Sequence, residues 1–521
     1  PALLEGGACH FKPRLNQLLH TLRLDVSYER GLGDHLYYRD HRGDEIEVLD
    51  LVGGYGSLLL GHAHPELLAE AQRLLLSGRP VHAQGSRREY AAQLARELSM
   101  RTRGDYCAVF GNSGAEAVEA AMKHAMLETG ARTFIALERG FHGKTLGALQ
   151  LTSSSEYRAC FELPGLKVLR VAPNNLEQLA AAFAQATDLA GFIFEPILGE
   201  GGIRPIDPAF AQCAARLCAE RGVPLIADEC QTGLGRTGAF LASERLGVQP
   251  DYVILSKALG GGMAKISALL IRRERYRDEF DLKHTSTYAD DDFSCAIALK
   301  TLALIDAAVL SACGEKGERL LAGLRRLAAT FPGVIADVRG RGLMLAVEFC
   351  PMPHSSSFLL RFLDRQEDLA YVIAGYLLNV HRIRIAPTLS DRSTLRLEPS
   401  AMMAEAEIER FLAAMEDTCT RLASGDALSL TRFFTRGDAA ETAVDSSARS
   451  DARFIAYDEG RFRERQRHAP AVKVGWLCHM IDAHDLISLE PSFAGVPLQE
   501  REDYLAHFVS RISPVVISAV D

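Results

Sequence analysis

Apolar residues recur along this chain in two different periods. Short runs of branched or aromatic residues, bounded by Gly, Pro or a charge, fall at 107–110, 191–197, 223–227 and 252–255. Runs of that length with no polar alternation suit strands buried on both faces of a parallel sheet. Between the first two lies a stretch of helical spacing, with Val118, Ala121, Met122, Ala125 and Met126 on one face and Gly130 as a stop. A second helix is predicted from Pro65 to Leu76, opening on a proline whose fixed φ suits a first turn. Just before it, residues 45–65 alternate apolar and polar positions into a glycine-rich turn, which predicts a strand and a loop. Strands alternating with helices predict an α/β fold with a mostly parallel sheet. From about residue 333 the pattern changes to strand-like runs, a helix, further short strands near 382–398 and an amphipathic helix ending near 423.

Bulk properties narrow the choice of partner. At 521 residues the chain exceeds one ordinary core, and the length suggests about three units. With 58 basic against 67 acidic residues the net charge is −9, so no basic field argues for nucleic acid or an anionic membrane, and small metabolites are the expected partners. Eleven cysteines without paired or regular spacing indicate neither a disulfide framework nor a zinc site, which fits a reducing cytoplasm. There is no run of about eighteen uncharged apolar residues and no basic-then-apolar leader pattern. The sequence opens on Pro1, and a piece of something longer is expected.

Candidate chemistry gathers at the ends of two of the apolar runs. Asp228 and Lys257 stand where the predicted strands 223–227 and 252–255 end, and in open α/β sheets that carboxyl edge is where ligands bind. A lysine there can form an imine with an aldehyde, and a buried aspartate can keep a pyridine nitrogen protonated so that the ring accepts electrons. Both are requirements of pyridoxal 5'-phosphate. The stretch IADECQTGLGRTG at 226–238, followed by PDYVILSKALGGG at 250–262, resembles the signature of class III (ω-type) aminotransferases, a branch of the fold type I pyridoxal phosphate enzymes. The resemblance covers about residues 30–425. It implies a large cofactor-binding domain at 81–330, a smaller α+β domain at 331–425, a segment 1–80 that joins the small domain, and a linker with a C-terminal extension over 426–521. It also implies a homodimer with shared active sites.

Residue by residue, the resemblance assigns a cofactor site. Ser113 and Glu116 have the spacing of a capping box, and Gly114 and Ala115 would let backbone N–H groups approach an anion at a helix N-terminus. The family uses this loop as its phosphate cup; a plain capped helix is the simpler reading. Phe141 matches a ring stacked on the cofactor face, with His142 beside it, and Glu195 matches a family glutamate. Gln231 matches the residue that hydrogen-bonds the ring hydroxyl. Thr287 matches a threonine that reaches the phosphate of the partner subunit. The family's usual Gly-Gly-Asn-Pro is replaced here by Ala289, Asp290, Asp291 and Asp292. Three carboxylates would repel a phosphate, so they are expected to turn outward, one of them capping the next helix.

For the substrate, the resemblance implicates Tyr55 as a pocket residue and Glu200 as the partner of Arg396. A planar guanidinium suits bidentate carboxylate binding, and Arg382, Arg384 and Arg392 compete with Arg396 for that role. The pair would act as a gate, letting one pocket take an amine without an α-carboxylate in one half-reaction and a keto acid in the other. Three motifs lead nowhere. His62 and His64 lack a further ligand for a metal, the GKT at 143–145 has Glu138 where a phosphate loop needs glycine, and the GLGRTG at 233–238 reads as a turn.

The expected activity is transfer of an amino group from an amine or amino acid donor to an aldehyde or keto acid, with Lys257 moving a proton. An aminomutase or decarboxylase on the same cofactor, or a non-catalytic module of a larger assembly, are the alternatives. Beyond a Ser/Ala/Asp-rich linker at 437–454 and an Arg-rich run at 461–467, the tail from Val472 faintly resembles the start of an acyl-thioester reductase module. Such a fusion would make a medium- or long-chain aldehyde an attractive acceptor.

Overall fold

The computed structural model describes residues 11–434, apart from 13, 14, 17, 18, 21, 41 and 84. The linker at 437–454, the Arg-rich run and the reductase-like tail lie outside the described residues. Near the start, β1 (Arg30–Leu32), β2 (His35–Arg39) and β3 (Glu45–Asp50) form an antiparallel meander that the sequence reading, with no pattern to use before residue 45, left unassigned apart from β3.

The large sheet is built from β4 (Tyr106–Gly111), β5 (Thr133–Leu137), β6 (Lys167–Val171) and β7 (Leu189–Phe194), and then, after a short hairpin of β8 (Ile197–Leu198) and β9 (Arg204–Pro205), from β10 (Leu225–Asp228), β11 (Tyr252–Leu255) and β12 (Ser267–Arg272). Its order is β4-β12-β11-β10-β7-β5-β6, with β12 antiparallel to both neighbours and the other pairs parallel. Side chains of β7 and β10 alternate between two cores. Phe192, Phe194, Leu225 and Ala227 pack on one face and Ile193 and Ile226 on the other. Helices cover both faces, so both alternating sets are apolar. Two predicted runs are cut differently from expectation. Residues 191–197 break after Phe194, because Pro196 has no N–H to give a ladder. The run at 223–227 starts two residues late, since Gly222 ends the preceding helix in the left-handed region and Val223 still donates to Cys218 O. Asp228 is therefore the last residue of β10 and not a loop residue beyond it.

Downstream, β13 (Ile335–Arg341), β14 (Met344–Phe349), β15 (Ile383–Arg384), β16 (Ala386–Pro387) and β17 (Thr394–Leu397) supply a second sheet of order β13-β14-β17-β16. The remaining strand, β15, pairs parallel with β3, so the N-terminal meander is tied to the C-terminal part of the chain. The amphipathic helix Glu405–Ser424 lays Ile408, Phe411, Met415 and Cys419 on the same core and ends on Gly425.

Candidate active site

The strand tips bring the two leading residues to one edge. β10 and β11 are adjacent and parallel, with Asp228 opposite Ile254, so Asp228 and Lys257 emerge side by side at the carboxyl end of the sheet. Lys257 adopts φ 44°, a left-handed conformation that costs a residue with a Cβ about 1 kcal/mol or more. It is half-buried. Among the described residues its ammonium has neither a hydrogen-bond nor an ion-pair partner. The charge of Lys257 acts on Glu200 and on the Cys230 thiol.

Asp228 is buried and hydrogen-bonded through both carboxylate oxygens. Its Oδ2 lies 2.8 Å from His142 Nδ1, and its Oδ1 accepts the Cys230 N–H at 3.2 Å. Burial pushes this carboxyl up, but the hydrogen bond and charge of His142 outweigh it and hold the group below its ordinary range. The reciprocal contest, with Asp228 outweighing burial, raises His142 above its ordinary value. The residue that the sequence only placed next to Phe141 is thus the partner that keeps Asp228 ionised, and its Nε2 is buried without a partner. Glu195 accepts N–H groups from Phe141 at 2.8 Å and Gly199 at 3.0 Å, fixing the Phe141 backbone. Burial, reinforced by the charge of Asp228, lifts Glu195 to about 7.

The Ser113 loop closes the other end. Ser113 caps the helix Gly114–Thr129 by accepting the Glu116 N–H at 3.4 Å. Only half of the expected capping box forms, because the Glu116 carboxylate accepts from Asn112 N at 2.8 Å and Asn112 Nδ2 at 2.9 Å instead of reaching back to Ser113. The N–H groups of Gly114 and Ala115 open the helix and have no intrahelical acceptor. A Cβ on Gly114 would stand 2.8 Å from Cys230 Sγ, and one on Gly143 would stand 2.7 Å from Ala115 Cβ, so the backbone here approaches its neighbours as only glycine permits. An unpartnered amine, an ionised aspartate and free N–H groups at a helix start suit the aldehyde, ring nitrogen and phosphate of pyridoxal phosphate.

On the loop beside this helix start, Asn112 Nδ2 reaches Ser286 Oγ at 3.3 Å, and Thr287 is exposed next to it. The three aspartates do not all turn outward. Asp291 is buried as the N-cap of Asp292–Leu304, accepting Ser294 N–H at 2.8 Å. Asp292 is held by Arg79 at 2.7 Å, and Asp290 lies 3.5 Å from Arg88. Nearby arginines, absent from any local sequence pattern, neutralise what the sequence left as bare repulsion.

Glu200 sits in the β8–β9 hairpin, and Arg396 projects from β17. Arg396 gives Nη1 to Glu200 Oε1 at 2.7 Å and Nη2 to Oε2 at 2.5 Å, with Leu389 N–H adding a bond to Oε2 at 2.9 Å. Burial raises the Glu200 carboxyl, but the Arg396 charge more than offsets it. The guanidinium also lies 5.1 Å from the centre of the Tyr55 ring, whose backbone is left-handed at φ 58° within the Gly53–Gly56 turn. The competing arginines are engaged elsewhere: Arg384 with Asp50, Arg392 with Glu156, and Arg382 with the Tyr38 hydroxyl. Gln231 gives its Nε2 to both oxygens of Glu398 at 2.7 and 2.9 Å.

Sequence reasoning missed Glu398, Arg236 and the His62–Asp50 pair at 2.9 Å. None has a local signal. Glu398 and Arg236 are defined by contacts between segments far apart in the chain, and the His62–Asp50 pair by the turn that folds residues twelve apart together.

A family model for class-III aminotransferases matches residues 20–417. The chain belongs to the class III aminotransferases. Among solved structures, this class III enzyme is similar to the ornithine aminotransferase from Toxoplasma gondii, at 25% identity and TM-score 0.66 over 76% of this chain and 90% of that one. It is also similar to the acetylornithine aminotransferase from Elizabethkingia anophelis, at 25% identity and TM-score 0.62 over 76% and 94%. An amine transaminase from an uncultivated Pseudomonas species, in its PLP-bound form, shares the fold at 24% identity and TM-score 0.66 over 76% and 95%. The protein is a transaminase of fold type I, and pyridoxal 5'-phosphate is its cofactor.

Proposed function

We propose that this aminotransferase moves an amino group between an amine or amino acid donor and an aldehyde or keto acid acceptor, with Lys257 as its catalytic lysine. When bound, pyridoxal phosphate supplies an aldehyde that condenses with amines and a ring that accepts an electron pair from the donor carbon. Lys257 holds the cofactor at rest and, once displaced by the donor, uses its Nζ to take a proton from the donor carbon and return it. Asp228, kept ionised by His142, holds the ring nitrogen positive. Ser113, Gly114 and Ala115 cradle the phosphate, Phe141 covers one ring face on the backbone that Glu195 fixes, and Gln231 stands at the ring hydroxyl. Thr287 reaches the phosphate of the partner subunit in a cytoplasmic homodimer. The observation that carries the reading is the partnerless Lys257 one strand away from an aspartate that is itself held ionised.

Tyr55, Glu200 and Arg396 form the substrate gate. With Glu200 on Arg396 the pocket favours an amine or aldehyde without an α-carboxylate; with Glu200 displaced, Arg396 grips a keto acid. Ornithine, glutamate and alanine are candidate donors, and a medium- or long-chain aldehyde is a candidate acceptor. Screening donors against pyruvate and 2-oxoglutarate tests the reaction. Turnover that requires an external acceptor supports transamination, and turnover without one supports an aminomutase or decarboxylase. The pyridoxal-imine absorption band of the loaded protein is expected to be lost in Lys257→Ala. A colourless protein that stays inert with added cofactor would identify a non-catalytic module.

A further inference from the structure

Glu398 is a fully buried carboxylate (0% exposed) that the reaction above does not use. It follows β17, two residues after Arg396, so both side chains lie on the face opposite the core residues Leu395 and Leu397. Its backbone N–H is fixed to Leu51 O at 2.7 Å. Its side chain is confined by the Gly53–Gly56 turn, since a Cβ on Gly56 would stand 2.9 Å from Oε1. The direct hydrogen bonds to its carboxylate come from the neutral amide of Gln231. The charge of Glu398 acts on Arg236 from the 233–238 loop and on Arg396 from its own strand, while Glu200 from the β8–β9 hairpin pairs with Arg396 and feels the charge of Lys257 after β11. Asp34 and Cys313 act on Arg236, and Tyr55 acts on Arg396.

Consecutive residues after β10 separate the two sides of the cofactor site. Cys230 packs on Gly114 of the phosphate loop, whereas Gln231 packs away from it, against Gly199, Gly56 and Glu398. A pyridoxal ring carries its phosphate arm and its hydroxyl on opposite sides of the aldehyde-bearing carbon. With the ring nitrogen at Asp228, the aldehyde at Lys257 and the phosphate at Ser113–Ala115, the hydroxyl falls on the side of Gln231, with Glu398 behind it.

We propose that Glu398 is a positioning residue that acts through Gln231, fixing the amide and keeping a negative charge on the hydroxyl side of the cofactor. The inference rests on the cofactor placement proposed above. A fixed anion raises the proton affinity of groups nearby, so the proton shared between the ring hydroxyl and the lysine-derived nitrogen is retained to higher pH. Glu398→Gln keeps the size and an acceptor for Gln231 but removes the charge.

The experiment is a visible-absorption pH titration of the loaded protein, which needs no turnover. In Glu398→Gln the titration midpoint falls by about one to two pH units, the size expected for one charge at roughly 7 Å in a site of effective dielectric near 20. Glu398→Asp, which keeps the charge, stays close to the parent. Should Glu398→Gln fail to accumulate, Glu398→Ala is expected to give the same downward shift. A midpoint unchanged on loss of the charge, or one that moves equally in Glu398→Asp, overturns the proposal while the cofactor placement stands. Parent protein with no absorption that depends on Lys257 overturns the placement itself.

Discussion

At the scale of single residues, two predictions follow from burial and charge. Glu195 has a folded-state pKa of about 7 against an ordinary 4.5, so the folded, cofactor-free protein binds this proton more tightly than the unfolded chain does. Its contribution is fully present below about pH 4.5 and is lost as pH rises through about 7, amounting to about 3 kcal/mol at most. Urea unfolding of the cofactor-free protein across that range should show this decline, and Glu195→Gln should flatten it even if it lowers stability overall. Arg396→Ala strands the buried Glu200 carboxylate and, in the gate proposed above, removes the grip on keto acids. The expected outcome is a rise in KM for pyruvate and 2-oxoglutarate of about tenfold or more, with a smaller change for amines that lack a carboxylate. Unchanged kinetics for every carboxylate-bearing partner would refute the gate. Asp228 and Lys257 could be singled out in the sequence because each follows an apolar run, and Arg396 through the resemblance to the family. Glu398 and His142's hold on Asp228 could not, because the partners of each are brought up by other elements.

Among elements, the continuous apolar runs of β10 and β11 were legible because helices cover both faces of their sheet. The reversed direction of β12 was not, since strand direction depends on the connection made and not on composition. Helix Ala307–Thr330 offers a paired test of packing. A Cβ on Gly317 would fall well inside contact distance of the Gly342 carbonyl, in the turn between β13 and β14, whereas one on Gly314 meets nothing within 4 Å. Gly317→Ala should therefore destabilise the protein by about 2 kcal/mol or more through overpacking against backbone. Gly314→Ala, one turn earlier, should stabilise it by about 0.5–1 kcal/mol through helix propensity. Thermal unfolding of the two variants compares the effects directly.

For the whole molecule, the exposed apolar side chains flanking Thr287 bear on assembly. Leu282 is 92% exposed and Tyr288 65%, an arrangement that suits a covered face better than open water. If the active sites are shared between subunits, sedimentation should report a dimer, and Leu282→Arg should shift it toward monomer and lower cofactor occupancy together. Arg236 adds a constraint inside each subunit. From within the 233–238 loop its buried guanidinium donates to the backbone oxygens of Gly56, Leu343 and Pro399. This one cation rivets the N-terminal turn, the large sheet's loop and the C-terminal strands together. Prising those parts open like a clam would leave its charge stranded in an oily interior, a cost that opposes any such opening and makes the three parts move as one wall.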